Sequence, residues 1–344
     1  MRVGTFVLAA QFPGQGQGEA LHRAVRTAEV AEEAGLDSVW LAEHHFVPYG
    51  VCPSAITLAA LLLGRTRRLR VGTAVSVLPT VHPVALGEQA AMLHVTSGGR
   101  FTLGVGRGGP WIDLEVFGAG LPAYEHGFPD SLDLLLRWLT EPSVGARGER
   151  FSFREVAVVP RPGELIGGPA APEVVVACTS RNSVRLAAER GLPMLLGMHC
   201  GDEEKAEMVA CWERAAREAG RTPDEIAEIG AGHVSAGVVQ LADRTAEASE
   251  ALVKAMPGWL KQGLDAHVTV DGRFRSMRDP VAYTELLCGL HPVGSPRLAA
   301  DRLAATAERT GITRFALLAE GSGDLAGTEE NLRRLGSEVL PLLV

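Results

Sequence analysis

The sequence predicts a (β/α)8 (TIM) barrel, and three observations carry that expectation. Eight short, mostly apolar runs alternate with amphipathic stretches. The runs read as parallel strands buried on both faces. A junction of helix end, glycine, short connector and strand recurs at Glu33-Ala34-Gly35-Leu36-Asp37, Glu189-Arg190-Gly191-Leu192-Pro193 and Arg309-Thr310-Gly311-Ile312-Thr313. Glycine past a helix takes the left-handed conformation that ends it. Eight such units favour a closed barrel over the alternative, an open doubly wound sheet.

In chain order the expected strands are Arg2–Leu8, Ser38–Ala42, Leu69–Val75, Phe101–Val105, Glu173–Ala177, Pro193–Leu196, Gly232–Val239 and Thr313–Leu318. Amphipathic helices are expected over Ala20–Ala34, Val84–Val95, Ser131–Leu139, Asp202–Ala219 and Pro296–Arg309. Two segments break the rhythm. Ala119–Gly168 holds the fourth barrel helix and then a Pro/Gly-rich excursion with a candidate hairpin at Glu149–Val159. Lys261–Val293 is polar, interrupted by Gly263, Gly272, Pro280 and Gly289, and reads as a long loop acting as a lid. With no linker to divide it, residues 1–344 are expected to form one domain.

Bulk composition narrows the function classes. The 344 residues are 46% hydrophobic and 22% charged, and a net charge of −8 argues against a broad nucleic-acid footprint. No apolar run reaches the roughly 18 residues that span a bilayer, and the first residues run into a strand without a signal-peptide pattern. The five cysteines are scattered and odd in number, which disfavours a disulfide framework. The expectation is a cytoplasmic protein. Only three of the 33 basic residues are lysine, a bias of GC-rich coding more than of function.

Chemistry concentrates where strands end. Active sites in this fold gather at the C-terminal ends of the strands. Glu43-His44-His45-Phe46 follows the second strand, and histidine exchanges protons near neutral pH. Metal binding is the weaker reading, because contiguous residues lack the one-face geometry of helical ligands. A buried structural pair of histidines is the bland alternative. Gly104-Val105-Gly106-Arg107-Gly108-Gly109 follows the fourth strand; Arg107 offers a planar fork suited to phosphate, although a tight turn with an incidental arginine fits too. Cys178-Thr179-Ser180-Arg181-Asn182-Ser183 opens a helix after the fifth strand, where hydroxyls and free N–H groups suit an anion, or where Ser180 or Asn182 simply caps the helix. Gly72–Pro79 closes the third strand with small side chains against which a planar ring can lie, and Asp113 stands a few residues past Arg107.

These residues resemble the bacterial luciferase-like flavin monooxygenases, most nearly the catalytic α subunit of bacterial luciferase. The likeness runs through Glu43-His44-His45-Phe46, Leu63-Gly64-Arg65-Thr66, Val71-Gly72-Thr73-Ala74, Leu78-Pro79-Thr80-Val81-His82-Pro83-Val84, Gly99-Arg100-Phe101 to Arg107-Gly108, and Val116-Phe117-Gly118. It continues at Ala188 to Met194, Pro292 to Pro296 and Thr310 to Thr313, nearly the whole chain. The resemblance implies a barrel that binds reduced FMN, reacts it with O2 and oxygenates a small organic molecule, with reduced FMN supplied by a separate flavin reductase. It also implies a homodimer. Carried over by position, Arg107, Thr179, Ser180 and Ser183 match the flavin-phosphate site, and Ala74, Val75 and Met198 the isoalloxazine contacts. His44 matches the proton-transfer residue; His45 and Asp113 match positions that support activity. A non-proline cis peptide maps to Ala74-Val75, and Lys261–Val293 matches a mobile loop. Three departures stand out: Gly106 replaces luciferase's reactive cysteine, Thr179 a glutamate and Met198 a tryptophan. The first removes thiol chemistry there, and the second takes an anion away from the phosphate. The third alters the pocket and puts a long-chain aldehyde and light emission in doubt; with the GC-rich bias it suggests an aromatic or polyketide-like secondary metabolite. Hydride transfer with the deazaflavin F420, or a non-catalytic subunit like luciferase β, are the rival expectations.

Overall fold

Eight parallel strands form the centre of the computed structural model, which describes residues 1–165, 167–273 and 278–343. They are β1 (Arg2–Val7), β2 (Ser38–Leu41), β3 (Arg70–Thr73), β4 (Phe101–Gly106), β5 (Glu173–Cys178), β6 (Met194–Leu196), β7 (Val234–Val238) and β8 (Arg314–Leu318). Each pairs with its sequence neighbour, and β1 pairs with β8 in register from Arg2↔Arg314 to Phe6↔Leu318. The β3–β4 pairing, Val71↔Phe101 and Gly72↔Thr102, leaves no open edge, so the sheet is a closed (β/α)8 barrel and not an open one.

Alternation along the strands explains why they read as continuous apolar runs. Val39, Leu41, Val71, Leu103, Val105 and Val176 pack outward against the helices. Phe6, Trp40, Val175, Leu195, Val234, Val238 and Leu318 point inward and fill the barrel. Both faces are therefore dry. Trp40 occupies so much of the interior that a Cβ on Gly72 would lie 2.6 Å from its ring, which accounts for glycine in the middle of β3. At the recurrent helix ends, Gly35, Gly191 and Gly311 have φ of 80°, 65° and 74°, the left-handed turn the sequence pattern requires.

The structure departs from the sequence expectation in three places. The third strand is not continuous over Leu69–Val75: it stops at Thr73, passes through a cis Ala74-Val75 peptide and resumes as Ser76–Val77 beside β4. The hairpin pairs Ser143–Arg147 with Ser152–Ala157, so its first arm precedes the expected start at Glu149. Lys261–Val293 is not one long loop. Its first residues end the helix Thr245–Asp265, and Pro280–Leu290 is helical. Proline there sits at the first helical position, where no N–H is needed, and Asp279 caps the helix by accepting from the Ala282 N–H at 2.8 Å. Residues 274–277 of that segment lie outside the described residues. Among the described residues no helix is long and apolar enough to cross a membrane.

Candidate active site

The catalytic candidates sit on five neighbouring loops. Residues 43–45 follow β2, Ala74-Val75 follows β3, Arg107 and Asp113 follow β4, residues 179–183 follow β5 and Met198 follows β6. Because all eight strands are parallel and these five are adjacent in the sheet, the groups share one arc of the same rim.

Glu43 builds the first part of this arc. Its carboxylate accepts from the Ala55 N–H at 3.1 Å and from the Val77 N–H at 2.9 Å. It thereby ties the helix Ala55–Arg65 to the segment just past the cis peptide. His45 Nε2 stands 3.7 Å from the same carboxylate. The sequence reading grouped Glu43 with the histidines and missed this bracing role. Glu43→Gln replaces one acceptor oxygen with a donor facing an N–H, and the expected loss is about 1–3 kcal/mol of stability, read from the urea midpoint.

His44 is held by aromatic contacts. Its ring meets Tyr49 edge-on at 5.0 Å, and Tyr49 stacks on Trp259 at 4.9 Å. The His44 Nδ1 atom is buried and has no hydrogen-bond partner. Burial, with the neighbouring His267 and His45, pushes the imidazole down to about 3, so it is neutral at ordinary pH. Asp113, also buried, starts the short helix Asp113–Val116 and accepts from the Leu114 N–H at 3.0 Å. Burial pushes its carboxyl up, opposed by that N–H and by His45.

Arg107 is exposed, its guanidinium lying 4.2 Å from the centre of the Tyr124 ring. Among the described residues no carboxylate stands within ion-pair distance of it. The glycines around it are explained by the chain itself. A Cβ on Gly106 would meet Val75 at 2.5 Å, one on Gly108 would meet Val77 at 2.7 Å, and one on Gly109 would strike the Trp111 indole. These close approaches account for the glycines without a ligand. Ser180 and Ser183 form a reciprocal capping box: Ser180 Oγ accepts from the Ser183 N–H at 3.3 Å, and Ser183 Oγ accepts from the Ser180 and Thr179 N–H groups at 3.2 and 3.3 Å. These hydroxyls cap the helix Arg181–Glu189, with Thr179 and Ser180 exposed at its start and Ser183 half-buried.

Ala74, Val75 and Met198 are half-buried and belong to the apolar cluster that fills the barrel and reaches Trp259 and Tyr283. The Met198 carbonyl accepts from His291 Nε2 at 2.5 Å. Over the arc, residues 266–273 are attached to the loop after β4: Ile112 N–H donates to Val268 O and Val270 N–H to Pro110 O, both at 2.9 Å, around a Trp111–Thr269 bridge. His267 lies between Trp111 and Tyr49 in this segment.

Sequence reasoning also missed a buried ion pair beside the site. Glu320, two residues past β8, accepts from the Leu8 N–H at 2.7 Å and faces Arg23 at 3.5 Å. Its position beyond a strand end was the available signal. Two surface clefts lie away from the imidazoles, the first of them touching the candidate phosphate hydroxyls Thr179 and Ser180. One of about 770 Å³ runs between the helices Arg181–Glu189 and Asp202–Glu218, another of about 840 Å³ follows the hairpin, and neither is lined by His44, His45, Arg107 or Asp113.

With this geometry in view, a family model described as luciferase-like monooxygenase matches residues 1–314. The chain belongs to the luciferase-like monooxygenase family. It is accordingly an enzyme, an oxidoreductase. The alkanal monooxygenase alpha chain of Photorhabdus luminescens is 29% identical over 360 aligned residues, covering all of this chain and 98% of its own. Among solved structures, monooxygenase RslO1 from Streptomyces bottropensis superposes with a TM-score of 0.83 at 22% identity, each chain covered completely. The oxygenating constituent of 3,6-diketocamphane monooxygenase from Pseudomonas putida, in complex with FMN, gives 0.76 at 23%, covering 100% of this chain and 99% of that one. An F420-dependent secondary alcohol dehydrogenase gives 0.71 at 17%, with coverage of 100% and 99%. At these identities the likeness shows the shared barrel alone, in enzymes of different chemistry.

Proposed function

We propose that the protein is a monooxygenase that uses reduced FMN and O2 to oxygenate a small organic molecule. One observation carries the reading: a neutral, buried imidazole with an unpartnered nitrogen, His44, shares a rim with an unpaired guanidinium and a cluster of hydroxyls. The residues fit the cofactor. Arg107 supplies a bidentate cation, and Thr179, Ser180 and Ser183 supply hydroxyls and helix-start N–H groups for a phosphate. Ala74, Val75 and Met198 supply an apolar ledge for a flat ring.

Reduced FMN, when bound, supplies the electrons and the oxygen activation. The chain's own residues do the rest. Arg107 and the hydroxyl cluster hold the phosphate end, and the apolar cluster around Trp259 and Tyr283 keeps water from the ring. His44, neutral and held by Tyr49, accepts or returns a proton at its unpartnered nitrogen. His45 and Asp113 hold the electrostatics around it. The segment 266–273 serves as the lid. A separate reductase delivers reduced FMN, and the chain works as a homodimer.

The test is FMN titration of the purified chain, followed by mass spectrometry of products formed with reduced FMN, labelled O2 and a substrate panel. Absence of a saturable FMN site refutes the reading. Consumption of F420 in its place assigns hydride transfer. Arg107→Ala is expected to weaken FMN about 10- to 100-fold, as for loss of a charge-assisted bond, and to leave riboflavin binding unchanged, because only FMN carries the phosphate. Calorimetric titration of both flavins reads the difference.

A further inference from the structure

Beside His44, on the side of β1 and β2, lies a cleft of about 450 Å³ that opens to solvent. Its wall is made by Gln11, Gln17 and Gln262 and by Phe46, Val47, Pro48, Gly50, Val51 and Pro53, with His44 the member shared with the rim arc. That volume falls in the range of roughly 300–1,000 Å³ typical of small-molecule sites. No carboxylate, ammonium or guanidinium lines it. Gly50 packs directly against His44 in this wall: a Cβ there would stand 2.8 Å from the His44 Nδ1 atom and closer still to the Leu8 carbonyl.

Phe46 adds an independent sign. Its backbone is left-handed, with φ of 63°, and its ring is 59% exposed. A bulky residue in that conformation costs about 1–3 kcal/mol, and strain of this kind gathers at ligand sites. The ring meets His45 at 5.8 Å and Phe117 at 6.0 Å, both tilted, and the rest of its surface is open to a bound ring.

We propose that this cleft holds the body of the substrate, an uncharged ring compound bearing carbonyl or hydroxyl groups. The proposal rests on the monooxygenase reading for the direction in which the reacting end points, toward His44. Phe46 stacks on the ring, and the carboxamides of Gln17 and Gln262 exchange hydrogen bonds with the oxygens. An ionised substituent that gives up part of its water here gains no opposite charge in return, so neutral molecules are selected.

Calorimetric titration of the full chain with acetylnaphthalene, naphthoate and naphthylmethylammonium tests this. Acetylnaphthalene is expected to bind at least about tenfold more tightly than either ion, given the cost of desolvating an unpaired charge. Val51→Trp, which fills the cleft, abolishes that binding while FMN affinity persists. Gln262→Glu, at an exposed position that does not threaten folding, reverses the preference toward naphthylmethylammonium. Equal binding of the three probes, parental affinity in Val51→Trp, or an unchanged preference in Gln262→Glu overturns the proposal. A parent chain that binds acetylnaphthalene selectively but not FMN sinks the flavin reading alone.

Discussion

Replacing His44 with alanine is expected to cut product formation by about 10²- to 10⁴-fold, the range for loss of a positioned proton-transfer group, with FMN affinity retained. The structure separates the two effects. The loop is fixed by the His44 N–H bond to Cys52 O at 2.9 Å and by the Glu43 carboxylate, neither of which uses the imidazole. The phosphate candidates sit on the loops after β4 and β5, away from it in the sheet order. Burial holds the ring neutral, so its lone pair is available across the ordinary pH range. Product yield by mass spectrometry, with FMN affinity by fluorescence titration, distinguishes chemistry from binding. A His44→Ala enzyme with parental turnover removes the imidazole from the mechanism.

Acid should destabilise the fold well before its carboxylates are protonated. His233 and His291 are almost fully buried, and burial first, then Arg314 for His233 and Lys205 for His291, pushes each from 6.5 down to about 4. His233 has a specific reason to resist a proton: its Nδ1 atom accepts from the Met194 N–H at 3.0 Å, a bond that protonation destroys. A depressed histidine value means that the unfolded chain binds the proton more readily. The stabilisation is therefore complete above the unfolded value of 6.5 and is lost as pH falls toward 4. At 1.36 kcal/mol per unit, each histidine contributes on the order of 3 kcal/mol to this loss. Glu320 slopes the other way, because burial pushes its carboxyl up and its native form binds a proton more readily than the unfolded chain. Urea midpoints measured across this window should fall steeply on acidification. His233→Gln, which keeps an acceptor for Met194 but cannot titrate, should flatten the fall; an identical slope would show that His233 is not responsible.

The barrel was legible because each strand is buried on both faces and writes its whole length in apolar residues. The turns Gly35, Gly191 and Gly311 were legible for a backbone reason, as each needs a left-handed φ. The helix Pro280–Leu290 was not, since its proline and glycine resemble breakers until the cap at Asp279 shows proline at the tolerated position. His44, His45, Arg107, Asp113, Thr179, Ser180 and Ser183 were readable as polar groups past strand ends, whereas Met198 came only from the resemblance; the fold does set them on one rim. Their partners were not readable. Nothing in the spacing of Glu43 says that it braces Ala55 and Val77, and nothing local tells that His267, more than 200 residues on, stands beside Tyr49. Such contacts are properties of closure and have no local period.

The two main-chain bonds between 110–112 and 268–270 join the strap across the mouth to the turn that presents the guanidinium. If, as proposed, Arg107 anchors the visitor's charged tail, any swing of that strap would tug on the anchor. Admission of the guest and release of its grip would then be one mechanical event, and a latch cut at Thr269 would be felt at Arg107.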